Sequence, residues 1–535
     1  MKKIRNPIIP GFNPDPSIVR VGDNYYIANS TFEWFPGVQI HHSKDLINWR
    51  LIGHALTDKR LLDMKGVPDS CGVWAPCLTY NNGTFYLIYS NVKTFDGLWK
   101  DTPNYLTTTN DIESGDWTDP VYLNSSGFDA SLFHDADGRK WISNLLVDHR
   151  GGKFFGGIVL QEYSAEKKKL VGPVKNIFAG SKLGITEGPH IYQKNAYYYL
   201  VIAEGGTEYG HAVTIARSKT IDGPFELHPA NPLISSRNNP DIYIQKAGHG
   251  DFVETQTGEW YMVHLGARPL SKLGLCTLGR ETCIQKIVWK DDNWPYLSQG
   301  GNEPLTEVVA PGLPEQVWPE LPSRIDFDGN KPDVNLSSLR VPISDDWANL
   351  TERRGFLRLY GRESLCSIHE QSLVARRIQH FNVEFSTCLE FSPVTFQQMA
   401  GLVFYYNTMH LHYAHVSYSE ETGTKYLQVI SGNNGNFTEP MESPVDISGI
   451  EKIYLKGNMH CDKLQFYYSF DDKEWIELGP VLNAGILSDD YVRDHGLHYR
   501  AAFTGAFAGI CCQDLSGQRN HADFDWFEYK VINAN

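Results

Sequence analysis

Short runs of Val, Ile, Tyr, Phe and Trp, broken by Gly, Asn and Asp, recur along the chain up to about residue 305. SIVRVGDNYYIANS (17–30), CLTYNNGTFYLIYS (77–90) and HIYQKNAYYYLVIAE (190–204) each read as an apolar strand, a polar turn and a second strand. Apolar residues at helical spacing are scarce, so the pattern predicts an all-β chain. Hairpins of this kind begin near residues 15, 75, 129, 187 and 249. Further strand-like text follows them, as in GVQIHHSKDLINWRLIG, NYLTTTNDIESGDWTDP and TIARSKTIDGPFELHP. A repeat of four-stranded units at this spacing predicts a five-bladed β-propeller, which leaves only short, protected sheet edges.

The repeat gives way to a Pro-rich link, VVAPGLPEQVWPELPSR (308–324). Beyond it, FNVEFSTCLEFS, AGLVFYYN, KYLQVISG, KLQFYYSF and the final FDWFEYKV alternate as the strands of a two-sheet sandwich do. The expected organisation is a propeller over 1–310 and a β-sandwich over 325–535.

Composition narrows the possible partners. A chain of 535 residues with 41% hydrophobic content can fill more than one core. Aromatics make up 13% of the chain; most belong to sheet cores, but their faces also stack on the C–H faces of sugar rings. The net charge is −15, and the only basic run, KKK at 167–169, reads as a solvated turn. That balance argues against nucleic acid and polyanionic substrates and favours a neutral ligand. Nine cysteines occur without CxxC or zinc spacing, which fits free thiols in a reducing compartment. The start, MKKIRNPIIPGFNPDP, has no apolar core before its prolines, and no stretch of about 18 apolar residues exists, so a cytoplasmic protein with no membrane partner is expected.

In a propeller the innermost strand of every blade lines the central channel, and the starts of those strands converge. The repeat puts Asp15, Asp129, Glu187 and His249 at such starts. Hydrolysis of a glycosidic bond needs a carboxylic acid to protonate the leaving oxygen and a carboxylate to activate water or attack directly. Three carboxylates at equivalent positions could supply that chemistry. Singly, Asp15 and Asp129 could be turn residues; Glu187, followed by Gly-Pro, has no common turn role.

NPDPSIVRVGDNYYIANSTFEWFPGVQIHHSKDLINW, VWAPCLTY, GFDASLFHDADGRKW, TEGPHIY, ARSKTIDGPFE and LGRETCIQKIVW together resemble glycoside hydrolase family 43. The likeness is strongest to its two-domain β-xylosidases and extends to the C-terminal DDYVR and FTGAFAGI. It implies a five-bladed propeller followed by a β-sandwich and an inverting, exo-acting β-1,4-xylosidase working on xylobiose and short xylo-oligosaccharides. By motif, Asp15 is the general base, Asp129 tunes and orients the acid, and Glu187 is the general acid. Arg280 matches an arginine that binds xylose hydroxyls, Phe32 and Trp74 wall the pocket, and Thr207 and His249 lie beside it. Phe503, in AFTGAF, resembles a sandwich loop that closes over the sugar. Some relatives hold calcium or water near the histidine; no acidic cluster here promises calcium, so no metal and no cofactor is expected. Self-association into a homo-oligomer is expected by the same analogy.

Departures from the pattern are Cys77, where many relatives carry Asp, with a polar contact expected to be lost, and Val147, where many carry Trp, with a less aromatic leaving-group side. The segment RDHGLHYRAA (493–502) is longer than usual. Alternatives are an α-L-arabinofuranosidase or a dual enzyme, a non-catalytic sugar-binding protein, and a structural propeller for protein partners.

Overall fold

The computed structural model describes residues 2–495 and 501–532. It forms two compact units. The first comprises 1–64, 71–273 and 280–318; the second comprises 65–70, 274–279 and 319–535. Two short strips that lie inside the propeller range by sequence therefore belong to the second unit.

The first unit is a five-bladed propeller. Its blades are the antiparallel sheets that start at Ser17–Val21, Gly72–Asn81, Ser131–His134, Glu187–Lys194 and Gln245–Glu254. Within each blade the strands pair in chain order. The inner strand runs away from one face of the ring and the second strand returns to it. The connection from the second to the third strand therefore rims that face: residues 30–36, 93–103, 148–154 and 205–211 in blades 1 to 4, and 268–273 with Arg280 in blade 5. Apolar clusters sit between neighbouring blades. One, with Ile18, Tyr25, Ile27, Tyr261 and Val263, joins blades 1 and 5; another, with Cys77, Ile88, Leu132 and Ile142, joins blades 2 and 3.

The ring is closed by the N-terminal segment. Lys3–Arg5 pairs antiparallel with Glu307–Val309. The Asn6 side chain donates to the Ile284 carbonyl at 2.8 Å and accepts from the Ile284 N–H at 2.8 Å. Ile8 N–H donates to the Thr282 carbonyl at 2.8 Å.

A girdle of hydrogen bonds passes from blade to blade around the channel. Asp251 of blade 5 accepts from Ser17 Oγ (2.9 Å) and Ile18 N–H (2.8 Å) of blade 1. Ser17 Oγ accepts from Leu78 N–H of blade 2 at 3.0 Å. Cys77 Sγ of blade 2 accepts from Leu132 N–H of blade 3 at 3.5 Å. Ser131 Oγ donates to the Pro189 carbonyl of blade 4, and the Tyr192 hydroxyl of blade 4 donates to Asp251, completing the circuit. Cys77, where many relatives carry Asp, fills a place in the girdle with its thiol, because sulfur is a weak acceptor of adequate reach.

The second unit is a two-sheet β-sandwich. One sheet is built around Asn382–Phe391, Lys452–His460 and His521–Val531, the other around Gln398–Asn407, His410–Ser419 and Phe507–Asp514. Phe385, Phe404, Phe466 and Phe527 fill the space between them. Its one α-helix among the described residues is Asp489–His495. The two strips are held inside this unit: Arg340 donates to the Val67 carbonyl (2.6 Å) and pairs with Asp69 (2.7 Å), and Asp490 accepts from Cys276 N–H (2.9 Å).

Candidate active site

The starts of the inner strands are irregular in a recurring way. Asp15, Asp129 and His249 have left-handed backbones with φ of 51°, 55° and 48°, as does Gly188 at 55°. A non-glycine residue rarely adopts that conformation unless its surroundings impose it. Around Asp15 they do: Asn29 Nδ2 donates to the carbonyls of Asn13 (3.1 Å) and Pro14 (3.0 Å), pinning the turn that presents the carboxylate. Asp129 is set by its own N–H, which donates to Ser90 Oγ at 3.2 Å. In blades 4 and 5 the pairing slips between Glu187 and His190 and on both sides of Gly248, so bulges re-aim Glu187 and His249.

These positions form one cluster. Asp15 accepts from Ser30 Oγ (2.6 Å) and from Arg280 Nη1 (3.3 Å), and His249 Nδ1 lies 3.5 Å from it. The same Arg280 nitrogen donates to Thr207 Oγ1 at 2.8 Å, and the guanidinium sits 5.4 Å from the Phe32 ring centre. The His249 ring covers Gly188: a Cβ there would lie 2.8 Å from Nε2. Phe32 and Trp74 face one another at 6.0 Å. They are brought together by paired backbone bonds between Phe32 and Val73, over Gly72, where a Cβ would lie 2.4 Å from the Phe32 carbonyl oxygen. Phe32, Thr207 and Arg280 thus stand on three of the rim connections. Phe503 belongs to the second unit, where its N–H donates to Ser70 Oγ at 3.1 Å. Of the segment 493–502, residues 496–500 lie outside the described residues.

The electrostatics separate the carboxylates. Burial pushes the Glu187 carboxyl well above the ordinary range, the Asp15 charge adds to this, and Arg280 opposes it. Glu187 is nonetheless partly open to solvent. Asp129 is also raised, by burial and then by Glu187 and Asp15, while the Gly188 N–H facing it and Arg280 favour its ionised form. Together these groups keep a proton at a pH where an isolated carboxyl has lost it. Burial holds His249 down near 4, so its ring is neutral around pH 7. Among the described residues no group of three His, Cys, Asp or Glu is arranged to hold a metal ion.

Several residues at this site are absent from the sequence reading. Ser30 and His211 are two; the His211 ring packs against Gly248, and burial, then His249 and Arg280, hold its pKa down near 3. The rims of blades 2 and 3 carry an aromatic run from Trp74 to Phe95 (5.1 Å) and Phe128 (5.0 Å), and from both to Phe154. At its outer edge Trp99, 70% exposed, meets His149. An aromatic in a loop carries no periodicity to announce which face it joins, so no sequence signal singles out Phe95, Trp99 or Phe154.

A propeller whose channel mouth gathers three carboxylates, one retaining a proton, around a buried arginine is built for acid–base hydrolysis of a neutral substrate. The family description "Glycosyl hydrolases family 43" matches residues 4–295, and "Beta xylosidase C-terminal Concanavalin A-like domain" matches 324–530. The chain is 49% identical to a β-xylosidase of Bacillus subtilis (strain 168), over 99% of each chain. It is also 49% identical to a xylan 1,3-β-xylosidase of a Vibrio species, over 98% of this chain and 99% of that one. The crystal structure of xylan β-1,4-xylosidase from Bacillus halodurans C-125 superposes with a TM-score of 0.95 at 54% identity, covering 98% of this chain and all of that one. This chain belongs to glycosyl hydrolase family 43.

Proposed function

We propose that the protein is an inverting, exo-acting β-xylosidase that releases xylose from the non-reducing ends of xylobiose and short xylo-oligosaccharides. The observation that carries the reading is the union of a proton-retaining Glu187 with Asp15 around Arg280. Glu187 gives its proton to the glycosidic oxygen as the bond to the anomeric carbon breaks. Asp15 takes a proton from a water that attacks that carbon from the opposite face, so the product is the inverted anomer. Asp129 orients and tunes Glu187. Arg280 and Thr207 bind sugar hydroxyls beside His249, while Phe32 and Trp74 stack on the ring. Phe503 is carried over from its motif as a closing residue of the sugar pocket. The nine free thiols, seven of them buried, support a reducing, cytoplasmic setting. No helix among the described residues is long and apolar enough to cross a membrane. Homo-oligomerisation is proposed on the analogy with two-domain relatives.

The test is incubation with aryl β-xyloside, aryl α-arabinofuranoside and the β-1,4- and β-1,3-linked xylobioses, with proton NMR of the first-formed sugar. Fastest release of α-xylose from the β-1,4 dimer is expected. Initial β-xylose would rule out inversion, and faster cleavage of the arabinofuranoside would reassign the substrate.

A further inference from the structure

Blade 4 contains a second buried carboxylate that the mechanism above does not use. Glu204 ends the strand Tyr197–Glu204 and is fully buried. One carboxylate oxygen accepts from Ser181 N–H (2.8 Å) and Thr186 Oγ1 (2.7 Å); the other accepts from Ser181 Oγ and Thr214 Oγ1 (2.9 Å). An ionised carboxylate is purely an acceptor with room for about four donors, so the site is filled by its own loop and has no place for a ligand. What it holds is the chain entering Glu187. Thr186 immediately precedes Glu187, and Glu187 in turn pairs with Ala203, the residue before Glu204. On the other side of Glu187, the Gly188 N–H faces Asp129, and the Pro189 carbonyl accepts from Ser131. Glu187 is therefore gripped from both directions.

We propose that Glu204 is a positioning residue for the general acid: through Thr186 it fixes the backbone that aims the Glu187 carboxyl, as Asp129 does from the Gly188 side. The proposal rests on Glu187 being the acid. A displacement of about 1 Å in a catalytic group can cost on the order of 100-fold in rate, and Thr186 shares a peptide bond with Glu187. Glutamine at 204 keeps one acceptor oxygen and can turn its amide toward hydroxyls. Alanine leaves all four donors without their shared acceptor.

The experiment compares Thr186→Val, Glu204→Gln and Glu204→Ala with wild type and Glu187→Ala. The substrates are xylobiose and a dinitrophenyl β-xyloside whose leaving group departs without a proton. Mispositioning of the acid should lower kcat on xylobiose about 10-fold or more in Thr186→Val, with little change in KM and little loss on the aryl xyloside. Glu204→Gln should retain more xylobiose activity than Glu204→Ala. Thermal melts report folding, and Thr186→Val, which removes one hydroxyl and keeps the shape, carries the test if Glu204→Ala does not fold. Equal losses on both substrates, or none, in folded Thr186→Val and Glu204→Gln would overturn the role of Glu204. Equal losses on both substrates in Glu187→Ala would overturn the acid assignment itself, a separate result.

Discussion

Burial raises the Glu187 carboxyl, the Asp15 charge raises it further, and Arg280 pulls it back. A carboxyl with a raised folded pKa holds its proton where the unfolded chain has released it. Its stabilising contribution is thus present below the ordinary carboxylate range and is lost as pH rises toward the raised value. Glu187→Gln removes that penalty. Its melting temperature relative to wild type should therefore climb with pH and converge with it below about pH 4, where the free carboxyl is also protonated; scanning calorimetry across pH measures this. The same proton shapes the rates. On xylobiose, kcat/KM should fall on the alkaline side above the ordinary carboxylate range. Glu187→Ala should cost roughly 100- to 10,000-fold on xylobiose and far less on a dinitrophenyl xyloside. Asp15→Ala should cripple both, because water must still be activated. Steady-state kinetics on the two substrates distinguishes the roles.

At the scale of the strand, the site depends on where each inner strand becomes irregular. Gly188 shows why: its φ of 55° and the His249 ring over it leave no room for a side chain. Gly188→Ala should destabilise the protein by about 1–3 kcal/mol and lower kcat on xylobiose, because either His249 or the Glu187 backbone has to move. Denaturant melts and kinetics on that variant check both. The strand pattern also explains what could be read from sequence. Alternating apolar runs with turn residues announced hairpins, and their spacing announced blades, so Asp15, Asp129, Glu187 and His249 were found by counting. Glu204 could not be found that way. It ends a second strand, looks like any acidic residue before Gly-Gly, and acquires its role from Ser181 and Thr186, which a loop folds back onto it. Phe95, Trp99 and Phe154 escaped for a similar reason: an aromatic in a loop carries no periodicity to say which face it joins.

For the molecule as a whole, the girdle around the channel ranks its own links. Asp251→Ala would leave Ser17 Oγ, Ile18 N–H and the Tyr192 hydroxyl without their shared acceptor, a loss of roughly 3 kcal/mol or more. Cys77→Ala gives up weak sulfur contacts to Leu132 N–H and Ser17 together with a little buried volume, and should cost less, about 1–2 kcal/mol. Urea melts of the two variants should keep that order. The second unit makes a different demand. Because 65–70 and 274–279 belong to it, removing 325–535 strips those segments of partners such as Arg340 and Asp490. That deletion is expected to abolish xylose release. Phe503→Ala in the full chain should stay folded by circular dichroism while kcat/KM falls about tenfold, equivalent to 1.4 kcal/mol of transition-state stabilisation.

The seam between Lys3–Arg5 and Glu307–Val309 imposes a schedule on biosynthesis. Residues 3–5, once made, must wait for a strand made some three hundred residues later. At about 5–20 residues per second that delay is on the order of 15–60 seconds. Asp15 lies just past the seam, and its partner Arg280 sits on the blade that the seam closes. The nascent chain therefore carries Asp15, the proposed base, on the first blade of an open spiral, with the arginine that holds it still untranslated. The enzyme cannot begin to work on sugars before its ring has shut.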